Sequence, residues 1–78
     1  MSVQAYILVQ TEVGKAADVT GAISALPGVT LAEDVTGPYD VIVRVEGTSM
    51  DELGALVVSQ IQTVDGITRT LTCPIVRI

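Results

Sequence analysis

The stretch Gly37-Pro38-Tyr39-Asp40-Val41-Ile42-Val43-Arg44-Val45-Glu46 says more about the chain than any other. Gly37-Pro38 reads as a turn, because proline presets φ and glycine bends the chain at little steric cost. Behind it, Tyr39, Val41, Val43 and Val45 alternate with Asp40, Ile42, Arg44 and Glu46. That period-two pattern is the mark of a strand with two unlike faces. Val29 to Thr36, before the turn, read as another strand with Glu33 and Asp34 near its end. Two strands joined by so short a turn form an antiparallel hairpin.

Working outward, residues 3–11 alternate as a strand, with Val3, Ala5, Ile7 and Val9 on one face and Tyr6 and Leu8 on the other. Residues 15–26 place Ala16, Val19, Ile23 and Leu26 at helical spacing, with Pro27-Gly28 as the stop. On the other side of the hairpin, Ser49-Met50-Asp51-Glu52 has the form of a capping box. Leu53, Leu56, Val57, Ile61 and Val64 make the apolar stripe of the helix that follows, and Asp65-Gly66 ends it. Residues 67–76 form a last strand in which Pro74, lacking a donor, marks an edge, a bulge or the end. The order is β-α-β-β-α-β, with a weak internal repeat: Leu26-Pro27-Gly28-Val29-Thr30 parallels Val64-Asp65-Gly66-Ile67-Thr68. Right-handed crossovers in both halves predict an α+β, ferredoxin-like sandwich, a four-stranded antiparallel sheet with both helices on one face. Residues 1–78 make one domain.

A domain of 78 residues buries only ~60–65% of its unfolded surface. Cys73 is the sole cysteine, so no disulfide staples it. One thiol and an N-terminus without a basic leader point to a reducing cytoplasm, and no apolar run approaches the ~20 residues that span a bilayer. Mean hydropathy is nonetheless +0.58, and the helices can cover only one side of the sheet. Tyr6, Leu8 and Ile42 fall on the other side, which predicts a homodimer packed sheet to sheet. The net charge of −5 repels phosphate backbones, so direct nucleic-acid binding is disfavoured.

The chain has no His, Trp or Phe. Without imidazole there is no ordinary general base near neutral pH, and no His-built zinc or copper site. No phosphate-cradling glycine motif is present. These absences predict a non-enzyme without metal or cofactor. Cys73 reads as a small buried hydrophobe in a strand. Adjacent strand residues point to opposite faces, so Glu33 and Asp34 read as solvated charge, and Asp51 and Glu52 complement a helix dipole. Asp40 stabilises the turn, pairs with Arg44, or meets a ligand. Tyr39 is core packing or a pocket wall. Thr68, Thr70 and Thr72 form a polar strand face that can offer hydroxyls.

Gly37-Pro38-Tyr39-Asp40, then Met50, then Gly66-Ile67 followed by Thr70-x-Thr72, resembles the effector domain of the Lrp/AsnC (feast/famine) transcription regulators, also called the RAM domain. The likeness covers essentially the whole chain. It implies sheet-to-sheet dimers that associate into rings, commonly octamers, with an amino acid or related small effector bound between dimers. By position it assigns ligand contacts to Gly37, Pro38, Tyr39 and Asp40, to Met50, and to Thr70, Thr72, Cys73 and Pro74. Pro38 departs from the family, which often has an acid there, and removes both an acceptor and a donor. The family's helix-turn-helix is not in this sequence, so the resemblance implies a stand-alone form acting through a partner, such as a full-length Lrp/AsnC regulator, on transcription or metabolism. Competing expectations are a ligand-free assembly module, a small dimeric α/β-barrel enzyme, and the related ACT domain, which places its ligand at a side-by-side sheet interface.

Overall fold

The computed structural model describes residues 2–76, with Val58 described by its backbone alone. Its elements are β1 (Val3–Thr11), α1 (Ala16–Ser24), β2 (Val29–Asp34), β3 (Val41–Gly47), α2 (Met50–Leu56) running into a wide π turn (Val57–Ile61), and β4 (Ile67–Pro74). All strand pairs are antiparallel and the sheet order is β2-β3-β1-β4. This is the βαββαβ ferredoxin-like sandwich that the alternation predicts.

The two-face reading of the strands holds. Ala5, Ile7 and Val9 of β1 and Val41, Val43 and Val45 of β3 are fully buried. They pack against Val19 and Ile23 of α1 and against Leu53, Val57 and Ile61 of the second helical segment. Aliphatic side chains with few rotamers fill this core, and no aromatic is needed. On the opposite face Tyr6, Leu31 and Leu71 are 36%, 42% and 44% exposed, and Leu8 and Ile42 are half-buried.

The second helix differs from the single helix expected. Ser49 does cap it, its Oγ accepting the Glu52 N–H at 3.1 Å. Glu52 turns its carboxylate to the Thr48 hydroxyl, which donates to Oε2 at 2.6 Å. After Leu56 the helix widens, and Gln62 N–H donates to Val57 O at 2.9 Å, a five-residue span. The apolar stripe explains the change. Leu53, Val57 and Ile61 are spaced by four, and an α-helix of 3.6 residues per turn rotates each such step about 40° off the sheet. A wider turn takes back that drift and returns Ile61 to the core.

The internal repeat is one structural device used twice. Gly28 and Gly66 both adopt positive φ, +87° and +97°, where side chains with a Cβ are strained. Each carbonyl then anchors at a central strand or just past its end: Glu46 N–H of β3 donates to Gly28 O, and Glu12 N–H, one residue beyond β1, donates to Gly66 O, both at 2.8 Å. The glycines thus turn the chain out of a helix and deliver it to an edge strand in register. Pro74 closes β4, an edge strand, where a missing donor costs nothing. No helix among the described residues is long and apolar enough to cross a membrane.

Candidate functional site

The connection between β2 and β3 is longer than the tight turn expected. β2 stops at Asp34 and β3 starts at Val41, so Tyr39 stands in the loop and not in the strand. The loop closes on itself through Val35 N–H to Asp40 O at 2.9 Å, with Gly37 at φ +143°. Four hydrogen bonds then fasten it to β1. Asp40 N–H donates to Val9 O at 2.8 Å. Gln10 Nε2 donates to Pro38 O at 2.9 Å. The Asp40 carboxylate Oδ2 accepts from Thr11 N–H at 2.8 Å and from Thr11 Oγ1 at 3.3 Å.

Asp40 therefore does not pair with Arg44. The guanidinium of Arg44 lies on the uncovered sheet face, donating to Tyr6 OH at 3.0 Å and Gln4 Oε1 at 2.9 Å. The reason is register: β1 ends beside the loop, so Thr11 reaches Asp40 first. Gln10 and Thr11 were not legible as site residues, because their bonds to the loop span 28 and 29 positions and no local pattern signals them. Asp34, at the end of β2, accepts a hydrogen bond from Thr20 Oγ1 of α1, so it is a bonded group and not merely solvated charge. Thr11, Gly14, Ala16, Asp34 and Asp40 border an open cleft of about 540 Å³ between the loop and the start of α1.

The other candidate residues lie elsewhere. Thr70 faces Val9 across β1, and Val9 faces Val41, so Thr70 is level with the Asp40 end of the sheet. It stands two strands away, roughly 10 Å, and its hydroxyl accepts from Gln62 Nε2 at 3.1 Å. Pro74 pairs with Ala5, which pairs with Val45, placing it toward the opposite end. Met50, 47% exposed, begins α2 just after β3 and so sits at that opposite end, roughly 20 Å of strand from Asp40. Thr70, Thr72 and Pro74 share the face of Val9, Ile7 and Ala5, whereas Cys73 shares the open face with Tyr6. Cys73 is exposed, which corrects its reading as a buried hydrophobe: β4 is an edge strand and no helix covers that side. Within one chain, Gly37, Pro38, Tyr39 and Asp40 form one cluster. Met50, Thr72, Cys73 and Pro74 do not join it. Among the described residues no cluster of three or more His, Cys, Asp or Glu is placed to hold a metal ion.

Loss of the Asp40 carboxylate is expected to free the loop. Asp40→Ala removes two acceptor contacts to Thr11 at a half-buried position, a cost of about 1–2 kcal/mol. The check is thermal unfolding together with amide exchange at Thr11, which should accelerate. Unchanged Thr11 protection would show that the carboxylate does not hold the loop.

A four-stranded βαββαβ sheet with its helices on one face, an open opposite face and a tethered, glycine-bent corner loop defines a small ferredoxin-like domain. The Lrp/AsnC ligand binding domain family model matches residues 4–78, and the chain belongs to that family. Solved structures agree. TTHA0845 from Thermus thermophilus superposes with a TM-score of 0.91 at 30% identity, covering 97% of this chain and 95% of that one. FFRP-DM1 gives 0.89 at 34% identity, covering 95% and 99%. The regulator NMB0573 from Neisseria meningitidis, solved as a complex with L-Met, shares the fold with a TM-score of 0.83 at 19% identity, and the match covers 96% of this chain and 50% of that one. Among curated proteins, a homocitrate synthase from Sulfurisphaera tokodaii is 37% identical over 54 residues, 69% of this chain and 12% of the enzyme. The chain therefore spans only a small fraction of that relative.

Proposed function

We propose that this domain is an effector-sensing assembly module. Copies pair through their open sheet faces, the pairs associate further, and a small effector, an α-amino acid, binds where the Gly37–Asp40 loop of one copy meets a neighbouring copy. Binding alters the assembly and is read by a partner in the cytoplasm, either a DNA-binding regulator of the same family or a metabolic enzyme. The observation that carries this reading is the separation of the candidate contacts. Gly37 to Asp40 and Met50 stand at opposite ends of one sheet, so they can share a ligand only where two copies meet. Two similarities support it. NMB0573 was solved with L-Met, and the partial match to homocitrate synthase supports an enzyme as the partner that reads the domain.

The test is a thermal-shift screen of the twenty amino acids with mass measured in parallel. A ligand at 100 times its Kd stabilises by ~2.7 kcal/mol, which for a domain of this size raises Tm by about 10 °C or more. A shift that is reduced in Tyr39→Ala is the expected result. A stable multimer unmoved by every amino acid would replace this reading with a ligand-free assembly module.

A further inference from the structure

The open sheet face carries a polar cluster at its centre. β1 and β3 pair from Val3–Gly47 to Val9–Val41, and Tyr6–Arg44 is the middle pair. Arg44 donates through one terminal nitrogen to Tyr6 OH at 3.0 Å and through the other to Gln4 Oε1 at 2.9 Å. Its guanidinium carbon lies 5.5 Å from the centroid of the Tyr6 ring. The guanidinium is thus held in place before any partner arrives, on a face it shares with Leu8, Leu31 and Ile42. A pre-ordered arginine beside a tyrosine, with those aliphatic side chains on the same face, is the composition of an interface hot spot. Less side-chain entropy is lost on docking when the fork is already fixed.

The charges on this face point to its occupant. Strand register puts Arg44 and Glu46 of β3, Glu33 of β2 and Arg69 of β4 on the open side, two positive and two negative. The chain has nine carboxylates and four basic residues. Setting aside these four and Arg77, which lies outside the described residues, seven carboxylates face a single base, Lys15. The strong negative charge is therefore carried away from the open face, which is balanced. Two copies meeting by most other surfaces bring like charges together. Meeting by this face, they set a guanidinium fork against carboxylates.

Resting on the assembly reading above, we infer that the Arg44–Tyr6–Gln4 cluster selects a second copy of this chain as the occupant of the open face, with further N–H groups of Arg44 meeting Glu33 or Glu46 of that copy. Arg44 is then the residue that sets partner choice, and the apolar residues around it exclude water.

Sedimentation velocity on four samples tests this: the native chain, Arg44→Glu, the double variant Glu33→Arg with Glu46→Arg, and an equal mixture of the two variants. The native chain is expected to sediment as a dimer or a multiple of it at micromolar concentration. Each variant alone should self-associate at least 100-fold more weakly, and the mixture should recover association through complementary charge. If Arg44→Glu proves unfolded alone, recovery of folded, associated material in the mixture still decides for the inference. Native-like self-association of Arg44→Glu, or a mixture that recovers nothing, overturns it while leaving assembly itself standing. A monomeric native chain overturns both this inference and the assembly reading.

Discussion

Replacing Ile7 with alanine is expected to destabilise the domain by about 2–5 kcal/mol and to lower Tm by about 10–30 °C. Ile7 is fully buried at the middle of β1, among Val19, Ile23 and Val43 in a single cluster. It sits between Val43 of β3 and Thr72 of β4 in the ladder. The neighbours are short β-branched side chains, which cannot swing in to fill the space left by three missing carbons. A domain of this size starts with few kilocalories of net stability, so the variant should be largely unfolded near physiological temperature. The matched control is Leu71→Ala. Leu71 is 44% exposed on the open face, and its loss should cost the chain's own stability under about 1 kcal/mol while weakening association. Urea midpoints at low protein concentration check both. Equal losses would mean that the open face is already part of a core within the single chain.

The second large effect comes from glycine. Gly66→Ala is expected to cost about 2–4 kcal/mol, from a positive φ that alanine resists and from crowding. A Cβ at Gly66, with φ +97°, would lie 3.1 Å from Lys15 Cβ and 3.2 Å from Val19 Cγ2. Gly28→Ala should behave alike, because there the Cβ would meet the backbone oxygen of Glu46 at 3.2 Å. Gly21→Ala should do the opposite. Gly21 lies within α1 and a Cβ there meets nothing within 4 Å, so alanine should stabilise by about 0.5–1 kcal/mol. Denaturation midpoints of the three variants measure one chemical change with two signs. A Gly66→Ala protein as stable as the native chain would show that this turn is not held at positive φ.

Much of the fold was legible because its signals are local. β1 runs over Val3–Thr11 as the alternation reads, and the capping serine and the repeated glycines stand where the residues put them. Less of the candidate site was legible. The Gly37–Asp40 loop exists at the predicted place, but the loop is longer, Tyr39 leaves the strand, and Asp40 bonds Thr11 in place of Arg44. The π turn was invisible because spacing by four fits an α-helix until the distance to the sheet matters. Cys73 was misread because alternation tells which residues share a face, and not which face of an edge strand has a helix above it.

By itself, then, the sequence determined the element order, the two-faced strands, the glycine exits from both helices and the family. The first three depend on residues within a few positions of one another, and the family on the joint order and spacing of several such short motifs. The packed sheet was needed to tie the Asp40 loop to the end of β1, to set Met50 and Asp40 at opposite ends, and to place Arg44 at the centre of the open face. These follow from strand register. The side-chain period in a strand is two, so a shift of two residues leaves every local pattern unchanged, and only the packed sheet chooses among such registers.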